Sequence, residues 1–163
     1  MKNSVVTPFR AIALLASLLL VVSACQTPHI TVPSEPGDVA VLPMRAGSVE
    51  VEGILNPDGS VNPTSGRGVT VPGQSFYVSN VVSAREEEGY PRVQVSLTSR
   101  SSSDVNLRYR VIWFDEDEME ISGGSGWTPV LLSPRETIQL SSVGRSTAAK
   151  QFRVFIQELS YRR

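Results

Sequence analysis

A regular alternation of apolar and polar side chains constrains the fold of this chain more than any other feature. Between Arg92 and Ser99 every second residue is apolar, and polar residues stand between them. The apolar positions are Val93, Val95 and Leu97. A period of two residues is typical of a β-strand with one face on a hydrophobic core and the other toward solvent.

Strand-like segments continue along the rest of the chain. Beyond 92–99, they are Ser75–Val82, Val105–Phe114, Trp127–Leu132, Thr137–Val143 and Phe152–Leu159. Turn-forming residues separate them, and residues 145–150 are the only stretch compatible with a helical turn. Short strands divided by turns predict an all-β domain, and we expect an Ig-like antiparallel β-sandwich.

The segment before residue 75 is less regular. Val49 to Ile54 alternates and is compatible with a further strand or with irregular structure, and Asn56-Pro57-Asp58-Gly59 is a strong turn signal. Between residues 25 and 47 several prolines and little apolar periodicity predict an extended tether. We therefore place the β-sandwich domain at residues 48–163.

The first 24 residues have the order of an export signal. Lys2 and Arg10 precede an apolar run over residues 11–22, which ends in Ser23-Ala24. A helix that crosses a membrane needs about 20 apolar residues, and this run is shorter. The pattern predicts a signal peptide that is cleaved.

Val22-Ser23-Ala24-Cys25 resembles the lipobox of bacterial lipoproteins, in which the cysteine thiol receives a lipid such as a palmitoyl-bearing diacylglycerol. Cys25 is the sole cysteine of the chain, so we predict lipidation there. The alternative is an ordinary secreted protein with a cysteine at the cleavage site. Gln26, where inner-membrane lipoproteins usually carry Asp, favours the outer membrane and its periplasmic face.

Charge and cysteine content exclude several classes of protein. Removal of residues 1–24 would lower the basic count from 15 to 13 against 16 acidic residues, which leaves a formal charge near −3. That balance offers no electrostatic basis for nucleic-acid binding. A lipidated Cys25 leaves no thiol for a disulfide within the chain, so a hydrophobic core must provide the stability.

Three aromatic-rich pieces resemble the YcfL family of small bacterial envelope lipoproteins. They are Tyr109, Arg110, Trp113, Phe114 and Asp115, then Trp127 and Pro129 followed by Leu132-Ser133-Pro134, and finally Phe152-Arg153-Val154. The likeness covers residues 75–159 and implies an Ig-like sandwich, a lipid anchor and a periplasmic location. It implies no established activity. The acidic run from Asp115 departs from the glycine that the family often carries there.

No catalytic constellation is visible in the predicted domain. His29, the only histidine, lies in the tether, and the domain has no thiol. A serine-hydrolase triad or a zinc site would need such groups. We therefore expect a non-enzyme with no catalytic residues, no metal and no cofactor.

Several side-chain clusters allow two interpretations. Asp115, Glu116, Asp117, Glu118 and Glu120 form either a solvated turn or a hard-cation site, and Glu86–Glu88 is expected to be solvated. Trp113, Tyr109 and Trp127 are expected in the core rather than around a ligand. Arg108 and Arg110 form a solvated face or meet an acidic partner or a glycan.

Together these features favour a binding or scaffold module that contacts another envelope protein, and strand addition at an open sheet edge is one way to make that contact. A protein that binds or acts on cell-wall glycan is the first alternative. A structural or assembly subunit of an outer-membrane machine is the second. We expect a membrane contact through the lipid on Cys25 and no small-molecule ligand.

Overall fold

The structure is a computed structural model that describes residues 32–44, 47–62, 74–121 and 126–159. Eight strands lie in these residues: β1 Val39–Pro43, β2 Ser48–Ile54, β3 Phe76–Arg85, β4 Pro91–Ser99, β5 Val105–Phe114, β6 Thr128–Leu132, β7 Thr137–Val143 and β8 Gln151–Glu158. This part of the chain contains no helix. The predicted all-β fold is confirmed.

The strands form two antiparallel sheets that enclose one core. The larger sheet has the order β1-β2-β8-β5-β6, and the smaller has the order β3-β4-β7. Buried side chains from both sheets make a single cluster, to which Val51, Val111 and Val154 contribute from the larger sheet and Phe76, Val95 and Leu140 from the smaller. The arrangement is the β-sandwich that the alternating sequence predicts.

The alternation explains why each strand lies where it does. In β4, Val93, Val95 and Leu97 are at most 1% exposed, whereas the polar residues between them face outward. The same alternation buries every second residue of β8. Burial of one such side chain contributes roughly 1.5–3 kcal/mol relative to leaving it exposed, so a one-residue slip in register would be costly.

Trp113 belongs to the hydrophobic core. It is 4% exposed, and its ring meets that of Phe152 edge-on, with 5.9 Å between the centroids. The Phe152 ring in turn lies against Gly53, where a Cβ atom would stand 2.4 Å from Phe152 Cζ. A glycine in the interior of β2 therefore makes room for the ring.

The predicted tether is wrong for part of its length. Residues 39–43 form β1, which pairs with β2 from Val39 opposite Gly53 to Pro43 opposite Val49. Val39 and Val41 pack against the core. The prolines suggested an extended tether, but they are compatible with a strand here. Pro43 is the last residue of β1 and Pro36 precedes the strand, so neither interrupts the ladder.

The structure also decides the predictions for residues 49–54 and 145–150. Val49 to Ile54 lies within β2, so the strand alternative is correct. Residues 145–150 contain a turn closed by a hydrogen bond from Ala149 N to Ser146 O, 3.3 Å long, and no helix. A single turn of chain between two strands leaves too little room for helical hydrogen bonds to repeat.

The predicted signal peptide, Cys25 and His29 lie outside the described residues. Among the residues that are described, no helix has the length and apolar character needed to cross a membrane.

Candidate functional site

The outer face of the larger sheet carries an unusual set of basic and aromatic side chains. Arg108 and Arg110 alternate with core residues along β5 and therefore point away from the core. On the neighbouring strand β8, Gln157 stands opposite Arg108 and Phe155 opposite Arg110. Strand pairing thus brings residues almost 50 positions apart onto one surface.

Trp127, just before β6, completes this surface. Its ring lies 4.5 Å from Arg108 Cζ and 5.1 Å from Arg110 Cζ. Arg110 Cζ also lies 4.9 Å from the Phe155 ring. Each cation–π contact of this kind contributes about 0.5–1 kcal/mol at an exposed site, so the rings hold both guanidinium groups in place.

The two arginines of this surface do not pair with carboxylates in the described part of the chain. Arg108 donates from Nε and Nη2 to the neutral Gln157 Oε1, at 2.9 and 2.6 Å. Arg110 Nε is buried, and in the described part of the chain it has no hydrogen-bond partner. Across those same residues, neither arginine forms an ion pair. An anion placed here would form charge-assisted hydrogen bonds with both side chains.

A groove of about 270 Å³ opens beside these arginines, and we call it the arginine–tryptophan groove. Its lining residues are Met44, Ser48, Val49, Arg110, Trp127, Phe155, Ile156 and Gln157. Sites for drug-sized ligands usually have about 300–1,000 Å³. The arginine–tryptophan groove is therefore suited to one or two side chains of a partner.

A second charged cluster lies next to the groove on β2 and β8. Arg153 Nε is 2.9 Å from Glu52 Oε1 and 4.0 Å from Glu50 Oε1, and Arg153 Cζ lies 5.0 Å from the Phe114 ring. Burial, followed by the neighbouring Glu52 carboxylate, raises the pKa of Glu50, and Arg153 offsets only part of the rise. Both carboxylates are held by one arginine, so they are not a free pair of acids.

Replacing Glu50 with Gln should raise the melting temperature at pH 7. The folded-state pKa of Glu50 lies above its ordinary value of 4.5, so the folded state binds more protons between those two values and loses stability as the pH rises through them. Gln carries no charge and does not incur this loss. Thermal melts from pH 4 to 8 should show the advantage of E50Q shrinking as the pH falls toward 4.5 and vanishing below that value.

Glu87→Gln is the matched control for this prediction, because Glu87 is an exposed carboxylate in the turn between β3 and β4. Its melting temperature should follow the wild type at every pH. An E50Q advantage that is equally large at pH 4 would contradict an electrostatic cause.

The smaller sheet presents a different feature, an open edge at β7. In the described residues β7 pairs only with β4, and the pairing has no bulge from Thr137 to Val143. None of its seven residues is charged or proline. The outward backbone groups of such an edge are a template for another strand.

The register identifies which β7 groups face outward. Ser99 N donates to Glu136 O at 2.9 Å, and Gly144 N donates to Pro91 O at 2.7 Å, so these two pairs are hydrogen-bonded pairs of the β4–β7 ladder. Hydrogen-bonded and non-hydrogen-bonded pairs alternate in an antiparallel ladder. The N–H groups that point away from β4 are therefore those of Thr137, Gln139, Ser141 and Val143.

The predicted site residues are distributed between the core and the surface. Trp113 is in the core as predicted, and Tyr109 packs against it. The core prediction is wrong for Trp127, which is 39% exposed. Its position directly before the edge strand β6 places it on the outer face, where the two arginines cover one side of the ring.

Asp115 to Glu120 forms an exposed turn after β5. Glu86 forms a surface ion pair with Arg92 at 3.1 Å. No group of three His, Cys, Asp or Glu side chains within the described ranges is close enough to hold a metal ion. The sequence analysis missed Phe155 as a surface residue. Its position out of phase with Phe152 and Val154 places its ring on the solvent face of β8.

Three solved structures are similar to this chain. Campylobacter jejuni cj0090 is 20% identical with a TM-score of 0.47, and the match covers 56% of this chain and 94% of that one. A DUF1425 family member from Shewanella sp. pv-4 is 17% identical with a TM-score of 0.45, and the match covers 76% of this chain and 99% of that one. The Avr2 effector protein from the fungal plant pathogen Fusarium oxysporum is 12% identical with a TM-score of 0.41, and the match covers 71% of this chain and 91% of that one. No curated protein matches the chain.

The model of one protein family, described as a protein of unknown function (DUF1425), matches residues 73–158. That match begins just before β3 and ends with β8, so it includes the open edge of β7 and the groove residues Arg110, Trp127 and Phe155. Strands β1 and β2, with the groove residues Met44, Ser48 and Val49, lie before it. The chain belongs to the DUF1425 family.

Proposed function

We propose that this protein is a non-catalytic lipoprotein, similar to the YcfL family, that is anchored to the periplasmic face of the outer membrane and binds another envelope protein. The lipobox-like residues before Cys25 support the anchor, and Gln26 supports the outer membrane. The absence of histidine and cysteine from residues 48–163 supports a non-enzymatic role. The open edge of β7 is the observation on which the binding role depends.

Each of the other sheet edges carries a feature that discourages strand addition. Edge β1 has five residues and ends at Pro43, and edge β6 has five residues and contains Pro129. The pairing of edge β3 is shifted between Val78 and Asn80, and Ser83 Oγ on that strand donates to Gly59 O at 2.7 Å. Short length, proline and bulges are the usual protections of sheet edges.

Strand β7 differs from these edges in length, regularity and side chains. It pairs with β4 over seven residues without a bulge, and the side chains on its solvent face, among them Gln139, Ser141 and Val143, are exposed. Added strands gain affinity from backbone hydrogen bonds and specificity from alternate side chains. We infer that a partner strand pairs with the outward N–H and C=O groups of β7.

Ser141→Pro should abolish this pairing and leave the domain folded. Proline removes the outward N–H of residue 141 and spares the ladder to β4, because that N–H does not donate to β4. The experiment places a photoreactive side chain at Val143 in the full chain and irradiates intact cell envelopes. A specific crosslinked species should form in the wild-type background and disappear with Ser141→Pro.

Ser141→Val is the matched control, since it changes the same side chain and keeps the backbone N–H. It should give the same crosslink as the wild type. A crosslink that survives Ser141→Pro, in a protein with an unchanged circular dichroism spectrum, would refute strand addition at β7.

A glycan-binding role is the second candidate, because Trp127 is exposed beside the arginine–tryptophan groove. Glycan chemistry would also use free carboxylates near exposed aromatic rings. Here Glu50 and Glu52 are held by Arg153, and Tyr109 packs against the core. These contacts favour protein binding over a glycan-acting site.

A further inference from the structure

Independently of the β7 edge, we propose that the arginine–tryptophan groove binds the acidic turn of a second copy of this chain. The acidic turn is the segment Asp115–Glu120, which follows β5 at the end of the larger sheet. The groove and the turn are complementary in charge and in apolar surface, and they belong to different parts of the molecule.

The acidic turn has a defined shape. Asp115 Oδ1 accepts hydrogen bonds from the backbone N–H groups of Asp117 and Met119, at 3.0 and 2.9 Å. Asp115 N donates to Met119 O at 3.1 Å. A preorganised loop loses less conformational entropy when it binds, so this turn is suited to docking as a rigid unit.

The tip of the turn presents an apolar side chain among carboxylates. Met119 is 66% exposed, the largest exposed fraction among the large hydrophobic side chains of the described residues. Glu116, Asp117, Glu118 and Glu120 around it are all exposed. A flexible thioether makes favourable contacts with aromatic rings, and the surrounding carboxylates are complementary to a surface that carries arginines.

The groove offers the matching groups. Its apolar lining includes Met44, Phe155 and Trp127, and its volume of about 270 Å³ accommodates one long apolar side chain. The guanidinium groups of Arg108 and Arg110 form no ion pair with the described residues of their own molecule. Met119 of a second copy would enter the groove while its flanking carboxylates meet the two arginines.

Such an interface is heterologous, because a groove on one copy receives a turn from another. A heterologous contact leaves a free turn at one end of the pair and a free groove at the other. Association therefore continues beyond a dimer, and each copy uses both surfaces. Specific association therefore needs an intact groove on one copy and an intact turn on another, whereas nonspecific aggregation does not.

Two one-sided variants separate the two surfaces. The groove variant carries Arg108→Glu and Arg110→Glu and keeps the acidic turn, whereas the turn variant carries Glu116→Lys and Glu120→Lys and keeps the groove. Sedimentation equilibrium of the full chain in density-matched detergent measures the mass of each. Wild-type mass should increase with concentration, and each variant alone should associate at least tenfold more weakly.

An equimolar mixture of the two variants is the decisive sample. The intact turn of the groove variant fits the intact groove of the turn variant, so the mixture should form a one-to-one complex and stop at that size. Trp127→Ala serves as a second groove variant that changes no charge. Trp127 is partly exposed, so its loss spares the core.

Matched charge changes elsewhere serve as controls. Arg100→Glu, and Glu87→Lys with Glu88→Lys, alter exposed residues outside both surfaces and should associate like the wild type. Association through the lipid anchor or the micelle would be equal in all variants and would overturn the proposal. A monomeric wild type at all concentrations, or a mixture that remains monomeric, would overturn it as well.

Discussion

Replacing Trp113 with Ala should destabilise the domain by about 3–5 kcal/mol, the usual cost of truncating a buried large aromatic side chain. Trp113 is 4% exposed and packs edge-on against Phe152. Its loss would leave a cavity between β5 and β8 that Gly53, with no side chain, cannot fill. Because whole domains are stable by only about 5–15 kcal/mol, this single change should remove much of the stability.

One feature of Trp113 reduces the expected cost. Its indole Nε1 is buried without a hydrogen-bond partner in the described residues, and an unsatisfied buried donor costs about 1–3 kcal/mol. Trp113→Phe removes that donor and keeps most of the ring. Trp113→Phe should therefore be much less destabilising than Trp113→Ala.

Urea and thermal unfolding of the full chain would measure both variants. Trp127→Ala is the matched control, because it makes the same substitution at a partly exposed site. Its unfolding free energy should fall by less than that of Trp113→Ala. Equal losses at the two tryptophans would contradict the division between a core Trp113 and a surface Trp127.

Replacing Cys25 with Ala should abolish membrane attachment. Cys25 is the only thiol of the chain, so no other residue can take the thioether-linked lipid. Each buried CH₂ of an acyl chain contributes about 0.8 kcal/mol to membrane binding, and stable anchoring needs two or more such signals. Fractionation of cells fed a labelled fatty acid should show an unlabelled protein outside the membrane pellet.

Gln26→Asp is the control for sorting. It keeps Cys25 and should remain labelled, but it introduces the residue typical of inner-membrane lipoproteins and should move the protein to the inner-membrane fraction. Label on the Cys25→Ala protein would disprove the anchor, and an unchanged distribution of Gln26→Asp would disprove the sorting argument.

The fold class and most strand positions follow from the amino-acid sequence alone. A period of two residues marks both that a segment is a strand and which of its faces is buried, because alternate side chains point to opposite sides of the backbone. Val93, Val95 and Leu97 are therefore placed correctly without any knowledge of their neighbours. Trp113 could be assigned to the core for the same reason, since it shares a face with Val111.

The local sequence pattern did not predict the structure of segments whose conformation depends on the strands they pair with. Strand β1 is short and bounded by prolines, so only its ladder with β2 and the burial of Val39 and Val41 make it a strand. Trp127 has the large aromatic side chain of a typical core residue, but its position beside β5 places it on the outer face. In both cases the stabilising contacts come from residues distant in sequence.

The surfaces available for binding depend on how the strands pair. The order β1-β2-β8-β5-β6 brings Arg110 beside Phe155 and Trp127, and the order β3-β4-β7 leaves β7 at an edge. Sequence periodicity specifies the faces of a strand but carries no information about its neighbours, because strand pairing is a non-local choice among many alternatives. The arginine–tryptophan groove and the open edge are both products of that choice.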